Sequence, residues 1–112
     1  MIAIVNQTTQ NDLIELMGQE DFKELLVEAA VQFKERTQAL EFAIGQEDWG
    51  AVRSLAHKIK GSMGSLGYDA LFQVLDSVER KLLEAPNHPP SVEDLNQVKN
   101  ILVATTQALP LA

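Results

Sequence analysis

Apolar residues along this chain recur three and four positions apart, in runs separated by glycines, prolines and capping residues, and no stretch sustains period-two alternation. The spacing predicts a short first helix over residues 9–17, with Thr9 as its cap, Leu13, Leu16 and Met17 on its apolar side and Gly18 at its end. Asp21 followed by Glu24 has the form of a capping box for a second helix. Its stripe runs through Phe22, Leu25, Leu26, Ala29, Phe33, Leu40 and Ile44 to Gly45. A third helix is expected from near Asp48, with Trp49, Val52, Ala56, Ile59, Met63 and Leu66 on one apolar face and Gly67 as the breaker. Leu71, Phe72, Leu75, Val78 and Leu82 predict the inward face of a fourth, stopped by the Pro86–Pro90 segment. Ser91 caps a fifth, with Leu95, Val98, Leu102, Thr105 and Leu109 as its stripe and Pro110 at its close. Four amphipathic helices on short connections predict an all-α, antiparallel up-down four-helix bundle, with the short N-terminal helix capping one end.

Size limits what such a bundle can do. The 112 residues suit a single domain, 1–112, with one core. Neither a G-x-x-x-x-G-K-[ST] loop nor a G-x-G-x-x-G turn occurs, so any phosphate chemistry must start from a phosphoryl group already attached to a partner. The absence of cysteine excludes disulfides, thiol catalysis and thiolate-bound metals. Two histidines on different elements are a poor basis for a metal site. The longest apolar runs, such as Met1–Val5, are too short for a membrane span or a signal peptide, which leads us to expect a cytoplasmic protein. Charge is distributed unevenly. Residues 1–50 hold ten acids and three bases, a net −7, whereas residues 51–112 hold six of each. Nucleic-acid binding needs a basic face and is not expected. Arg53, Lys58 and Lys60 stand out as a local basic exception.

Those bases surround the one unusual stretch, Ala56-His57-Lys58-Ile59-Lys60-Gly61-Ser62-Met63-Gly64-Ser65-Leu66-Gly67. On the predicted third helix, His57 follows the core-facing Ala56 and turns about 100° away from the apolar line. Arg53, Lys60, Gly61 and Gly64 fall on its face at helical spacing, while Lys58 lies further round. A glycine in a helix interior costs about 1 kcal/mol relative to Ala. Two of them beside a histidine point to a surface that must stay low, so that a phosphoryl group or a partner's backbone can approach. A neutral imidazole is a good nitrogen nucleophile, and the charge of a phosphoryl adduct could be met by Lys60 one turn away.

His57-x-x-Lys60-Gly61-Ser62 followed by Leu66-Gly67 resembles the signature of histidine-containing phosphotransfer (HPt) domains, shared with the phosphotransfer domain of chemotaxis histidine kinases. The resemblance spans about residues 10–108, and its diagnostic part is residues 56–67. It implies a four-helix bundle with His57 as phospho-acceptor, Lys60 as the neighbouring cation and Gly61 as the residue that leaves room beside the ring. It further implies response-regulator receiver domains and a hybrid sensor histidine kinase as partners. Any Mg²⁺ would come from the receiver, with no cofactor of the chain's own, and a monomer is expected. Arg53, Lys58 and Gly64 are candidate partner contacts. Met63 and Tyr68 depart from the commonest pattern; Met63 faces the predicted core, and Tyr68 falls at the next turn.

Blander readings compete with this one. A helical adaptor without chemistry would explain the bundle but not the glycines or the Lys60 spacing. A phospho-acceptor fragment of a chemotaxis-type kinase would explain the motif, although Met1 and the short tails favour a free-standing protein. His88, in Asn87-His88-Pro89-Pro90, reads as a solvated loop residue, Trp49 as core, and the acids of the second helix as a solvated face.

Overall fold

The computed structural model describes residues 3–110 and contains five helices: α1 Gln7–Met17, α2 Gln19–Gly45, α3 Trp49–Gly64, α4 Asp69–Glu84 and α5 Val92–Ala108. No strand occurs among the described residues. Met1 and Ile2 of the first apolar run lie outside them. No helix among the described residues is long and apolar enough to cross a membrane.

Local chemistry explains the helix ends, including two that depart from expectation. The α1 cap is Asn6, not Thr9: the Asn6 side-chain oxygen accepts from the Thr9 amide at 3.1 Å, so Thr9 is the third helical residue. Gly18, at a φ of 89°, both ends α1 and opens α2. Its amide donates to Ile14 and its carbonyl accepts from Phe22, which starts α2 at Gln19 and leaves Asp21 and Glu24 inside the helix, with no capping box. Glu20 and Asp21 still lie where the helix dipole favours negative charge. Asp48 caps α3, accepting from the Ala51 amide at 3.2 Å, and Ser91 caps α5 as its sequence position predicts, accepting from the Asp94 amide at 3.0 Å.

The predicted stripes form the core. Val52, Ala56, Ile59, Met63 and Leu66 are buried from the α3 side, and Leu71, Leu75, Val78 and Leu82 from α4. Phe33 and Leu40 of α2 join them, with Val98, Leu102 and Thr105 of α5. The Tyr68 ring is buried among them at the α3–α4 turn. Two apolar assignments fail. Leu16 is 85% exposed, because the short α1 meets the body along its Leu13 side. Phe72 is 38% exposed and lies over the surface of α3, not in the core.

The helices α3 and α4 share the most extensive packing; α2 flanks α3, α5 flanks α4, and α2 meets α5. The N-terminal segment holds the α3–α4 turn. The Asn6 amide donates to the Gly67 carbonyl at 2.7 Å, the Asn6 side chain to Asp69 at 2.8 Å, and the buried Gln10 side chain to the Leu66 carbonyl at 3.1 Å. The bonds to the Leu66 and Gly67 carbonyls satisfy backbone groups in the turn that follows α3.

Candidate functional site

The phase of α3 decides which residues reach solvent. With Ala56, Ile59 and Met63 fixed in the core, His57 projects outward, and its side chain is 67% exposed. The α4 helix supplies its partner. The His57 Nδ1 lies 2.8 Å from Oε1 of Glu79, a carboxylate only 8% exposed.

Glu79 belongs to a chain of charges along the α3–α4 seam. The Lys60 ammonium lies 2.9 Å from Glu79 Oε2 and 2.7 Å from Asp76 Oδ1. Asp76 Oδ2 in turn meets Arg80 Nε at 3.1 Å. The Phe72 ring covers the other side of Lys60, its centre 5.3 Å from the ammonium. Lys60 is thus 15% exposed and bound to two acids. Asp76 and then Glu79 hold the ammonium above its ordinary pKa, against burial. Lys60 holds the Asp76 carboxyl below its ordinary value. Burial pushes the Glu79 carboxyl up, but the contacts with Lys60 and His57 outweigh it and leave Glu79 below its ordinary value.

The protonation pattern follows from that ionised state. A carboxylate only accepts, so the nitrogen facing it carries the proton. His57 Nδ1–H donates to Glu79, and a neutral ring then has its lone pair on Nε2. Protein groups elsewhere use the same arrangement, a carboxylate behind an imidazole, to fix tautomer and orientation.

The glycines differ from one another. A Cβ built on Gly61 meets nothing within 4 Å, so the surface one turn beyond His57 is open. A Cβ on Gly64 would come within 2.7 Å of the Phe72 ring, which makes Gly64 a seat for that ring. Ser62 bonds to the Lys58 carbonyl and accepts from Arg36 of α2 at 3.2 Å. Arg53 is half-buried and Lys58 exposed, and among the described residues neither makes an ion pair. His88 is exposed in the α4–α5 connection, away from this cluster.

Sequence pattern alone misses Glu79, Asp76 and Arg80. For Glu79 a signal exists: it falls four residues after Leu75 and three before Leu82, on the inward stripe of α4. An acid there must be buried, and a buried acid needs partners.

A family model described as Hpt domain matches residues 21–108, which takes in nearly all of α2 and the whole of α3, α4 and α5. The fold is similar to the crystal structure of histidine-containing phosphotransfer protein B (HptB) from Pseudomonas aeruginosa PAO1. The TM-score is 0.69 at 20% identity, over 96% of this chain and 92% of that one. No curated protein matches the sequence at a significant level. The matched span contains the His57–Gly67 stretch and the acid-lined α4 that backs it, and the chain belongs to the Hpt domain family.

Proposed function

We propose that His57 accepts a phosphoryl group from the aspartate of a receiver domain, or from a kinase, and passes it to a response regulator in a two-component phosphorelay. The observation that carries this reading is the His57–Glu79 pair: an exposed imidazole whose inner nitrogen is held at 2.8 Å by a buried carboxylate, so that Nε2 faces outward. Gly61 leaves open the approach beside the ring. In this reading the protein is a carrier and not an enzyme, since phosphoryl transfer needs chiefly positioning and charge, and the receiver brings the Mg²⁺.

Transfer balances as follows. The Nε2 lone pair attacks phosphorus, and the bond from phosphorus to the donor aspartate's oxygen breaks. Aspartate leaves as a carboxylate, and the Nε2-phosphorylated ring, still protonated at Nδ1, gains a positive charge that faces Glu79. Partner contacts would come from Arg53, Lys58 and the surface around Gly64 and Phe72. We further infer that α2 to α5 run as an antiparallel up-down bundle, with α1 as the extra helix. The whole forms a single domain that works as a cytoplasmic monomer.

The test is transfer from a phosphorylated receiver, with the label checked for the acid lability and alkali stability of a phosphoimidazole. His57→Gln should fold normally and take no label, and His88→Gln should transfer like wild type. Label retained on His57→Gln would overturn the assignment.

A further inference from the structure

A phosphoryl group on the outward Nε2 of His57 adds negative charge to the surface of α3, and a cation free to turn toward it would stabilise that charge. The cations on α3 and on the facing part of α4 are Arg53, Lys58, Lys60 and Arg80. Two are already engaged. Lys60 lies between Asp76 at 2.7 Å and Glu79 at 2.9 Å, and Arg80 Nε meets Asp76 at 3.1 Å. Lys58 falls about 100° round the helix from His57, on the side away from α4. Arg53 falls one turn before His57 and about 40° from it, on the side of the α3–α4 seam.

Nothing neutralises Arg53. It is half-buried and, among the described residues, makes no ion pair. The α3 helix contains no acid of its own, and the Asp48 carboxylate before it is used as the N-cap. The register of the seam accounts for α4. Gly64 faces Phe72, Lys60 faces Asp76 and His57 faces Glu79. One further turn along each antiparallel helix sets Arg53 opposite Leu83, which is 55% exposed. The helix that surrounds Lys60 with carboxylates thus presents hydrocarbon at the level of Arg53. Side chains on a helix also lean toward its N-terminus and cover the preceding turn. The His57 ring therefore leans over the turn that holds Arg53, while the open surface at Gly61 lies on its other side.

We propose that Arg53 is the cation that contacts the phosphoryl group on His57, its guanidinium bonding two phosphoryl oxygens as phosphorus reaches Nε2. The proposal rests on the phosphotransfer reading above and goes beyond the partner contact given to Arg53 there. A guanidinium suits the task because its parallel N–H groups match a pair of phosphoryl oxygens, whereas an ammonium acts as a point charge.

The test separates contact with the phosphoryl group from docking by using a donor that has nothing to dock. With phosphoramidate, Nε2 attacks phosphorus, the phosphorus–nitrogen bond breaks and ammonia leaves. Arg53→Gln should slow this labelling by roughly tenfold to a hundredfold, the range for a hydrogen bond to a charged group. Arg53→Lys, which keeps the charge and loses the fork, should recover part of the rate. Lys99→Gln on α5 removes the same net charge from an exposed position elsewhere and should label like wild type. With a phosphorylated receiver as donor, Arg53→Gln should lower kcat more than it raises KM.

If Arg53→Gln fails to fold, Arg53→Met, which keeps most of the stem, takes its place in both measurements. Wild-type labelling of the variant by phosphoramidate, whatever happens to KM for the receiver, would overturn the proposal and leave Arg53 a docking residue. An equal loss in Lys99→Gln would also overturn it, since the effect would then belong to net charge. Failure of wild type to take label on His57 from either donor would instead refute the phosphotransfer reading.

Discussion

Gly61 and Gly64 lie three residues apart on the same helix, and the structure predicts opposite outcomes when each is changed to alanine. A Cβ on Gly61 meets nothing within 4 Å, so Gly61→Ala meets no steric opposition. It gains the helix propensity of Ala over Gly, about 0.5 to 1 kcal/mol, partly by removing freedom from the unfolded chain. A Cβ on Gly64 would lie 2.7 Å from Phe72 Cδ2, closer than two carbons can approach. The ring is 38% exposed and can move, so the cost should fall in the lower part of the 1 to 3 kcal/mol typical of overpacking, about 1 to 2 kcal/mol. Gly64 is also the last residue of α3, where propensity counts for less. The two variants should therefore differ by about 1 to 3 kcal/mol, with Gly61→Ala above wild type and Gly64→Ala at or below it. Urea unfolding resolves this, and Phe72→Ala should restore most of the loss in Gly64→Ala while doing nothing for Gly61→Ala. Transfer rates complete the test: Gly61→Ala should transfer near the wild-type rate, and Gly61→Gln, whose longer side chain can lie across the imidazole, should be markedly slower. Equal stability shifts in the two alanine variants would refute the distinction between an open site and a ring seat. Wild-type transfer by Gly61→Gln would refute the access argument.

Gly67 has a φ of +92°, and its Cβ would lie 3.0 Å from the Asn6 carbonyl oxygen, so Gly67→Ala should cost about 1 to 3 kcal/mol in thermal or urea unfolding. A wild-type midpoint would show that α1 does not hold the α3–α4 turn as described. Stability should also depend on pH at both ends. Asp76 and Glu79 are depressed, so their contribution is full above their ordinary values near 4 and is lost as pH falls through the lower folded values. Lys60 is raised, so its contribution is full below its ordinary value of 10.5 and is lost as pH rises through the higher folded one. Lys60→Met should flatten both the alkaline and the acid fall, since Asp76 and Glu79 lose the cation that depresses them, and unchanged limbs would count against the ion pairs.

Fold was readable because it rests on local chemistry repeated at helical spacing. Each stripe in α3, α4 and α5 identifies a buried face, and the caps Asp48 and Ser91 act within three residues of themselves. Failures occur where a neighbour decides. Thr9 looks like the start of α1 because the apolar stripe begins after it, yet Asn6 is the residue whose side chain reaches the free amide. Gly18 at positive φ lets α2 begin at once, which no reading of Asp21 and Glu24 as a box could foresee. Phe72 lies next to the inward Leu71 and its spacing suits the same stripe, but Gly64 on α3 offers its ring a seat at the edge.

The site divides along the same line. The exposure of His57 follows from helix phase alone, and the open surface at Gly61 from the lack of a side chain, so both could be read without a partner helix. The surroundings of Lys60 could not. Whether a lysine one turn from a histidine is solvated depends on what the facing helix presents, and here α4 presents two acids, Asp76 and Glu79, three residues apart. Glu79 is 22 residues from His57, and only the register between α3 and α4 brings them together. What the sequence does contain is the constraint that makes the pairing necessary. An acid between Leu75 and Leu82 on a buried stripe must find cations or donors on whichever helix it meets. In the α3 segment that also carries the Gly61 opening, His57 and Lys60 are positioned to supply both. A buried carboxylate in one stripe and a histidine–lysine pair at i and i+3 beside another are each unremarkable alone; together they predict one contact, and that contact orients the ring.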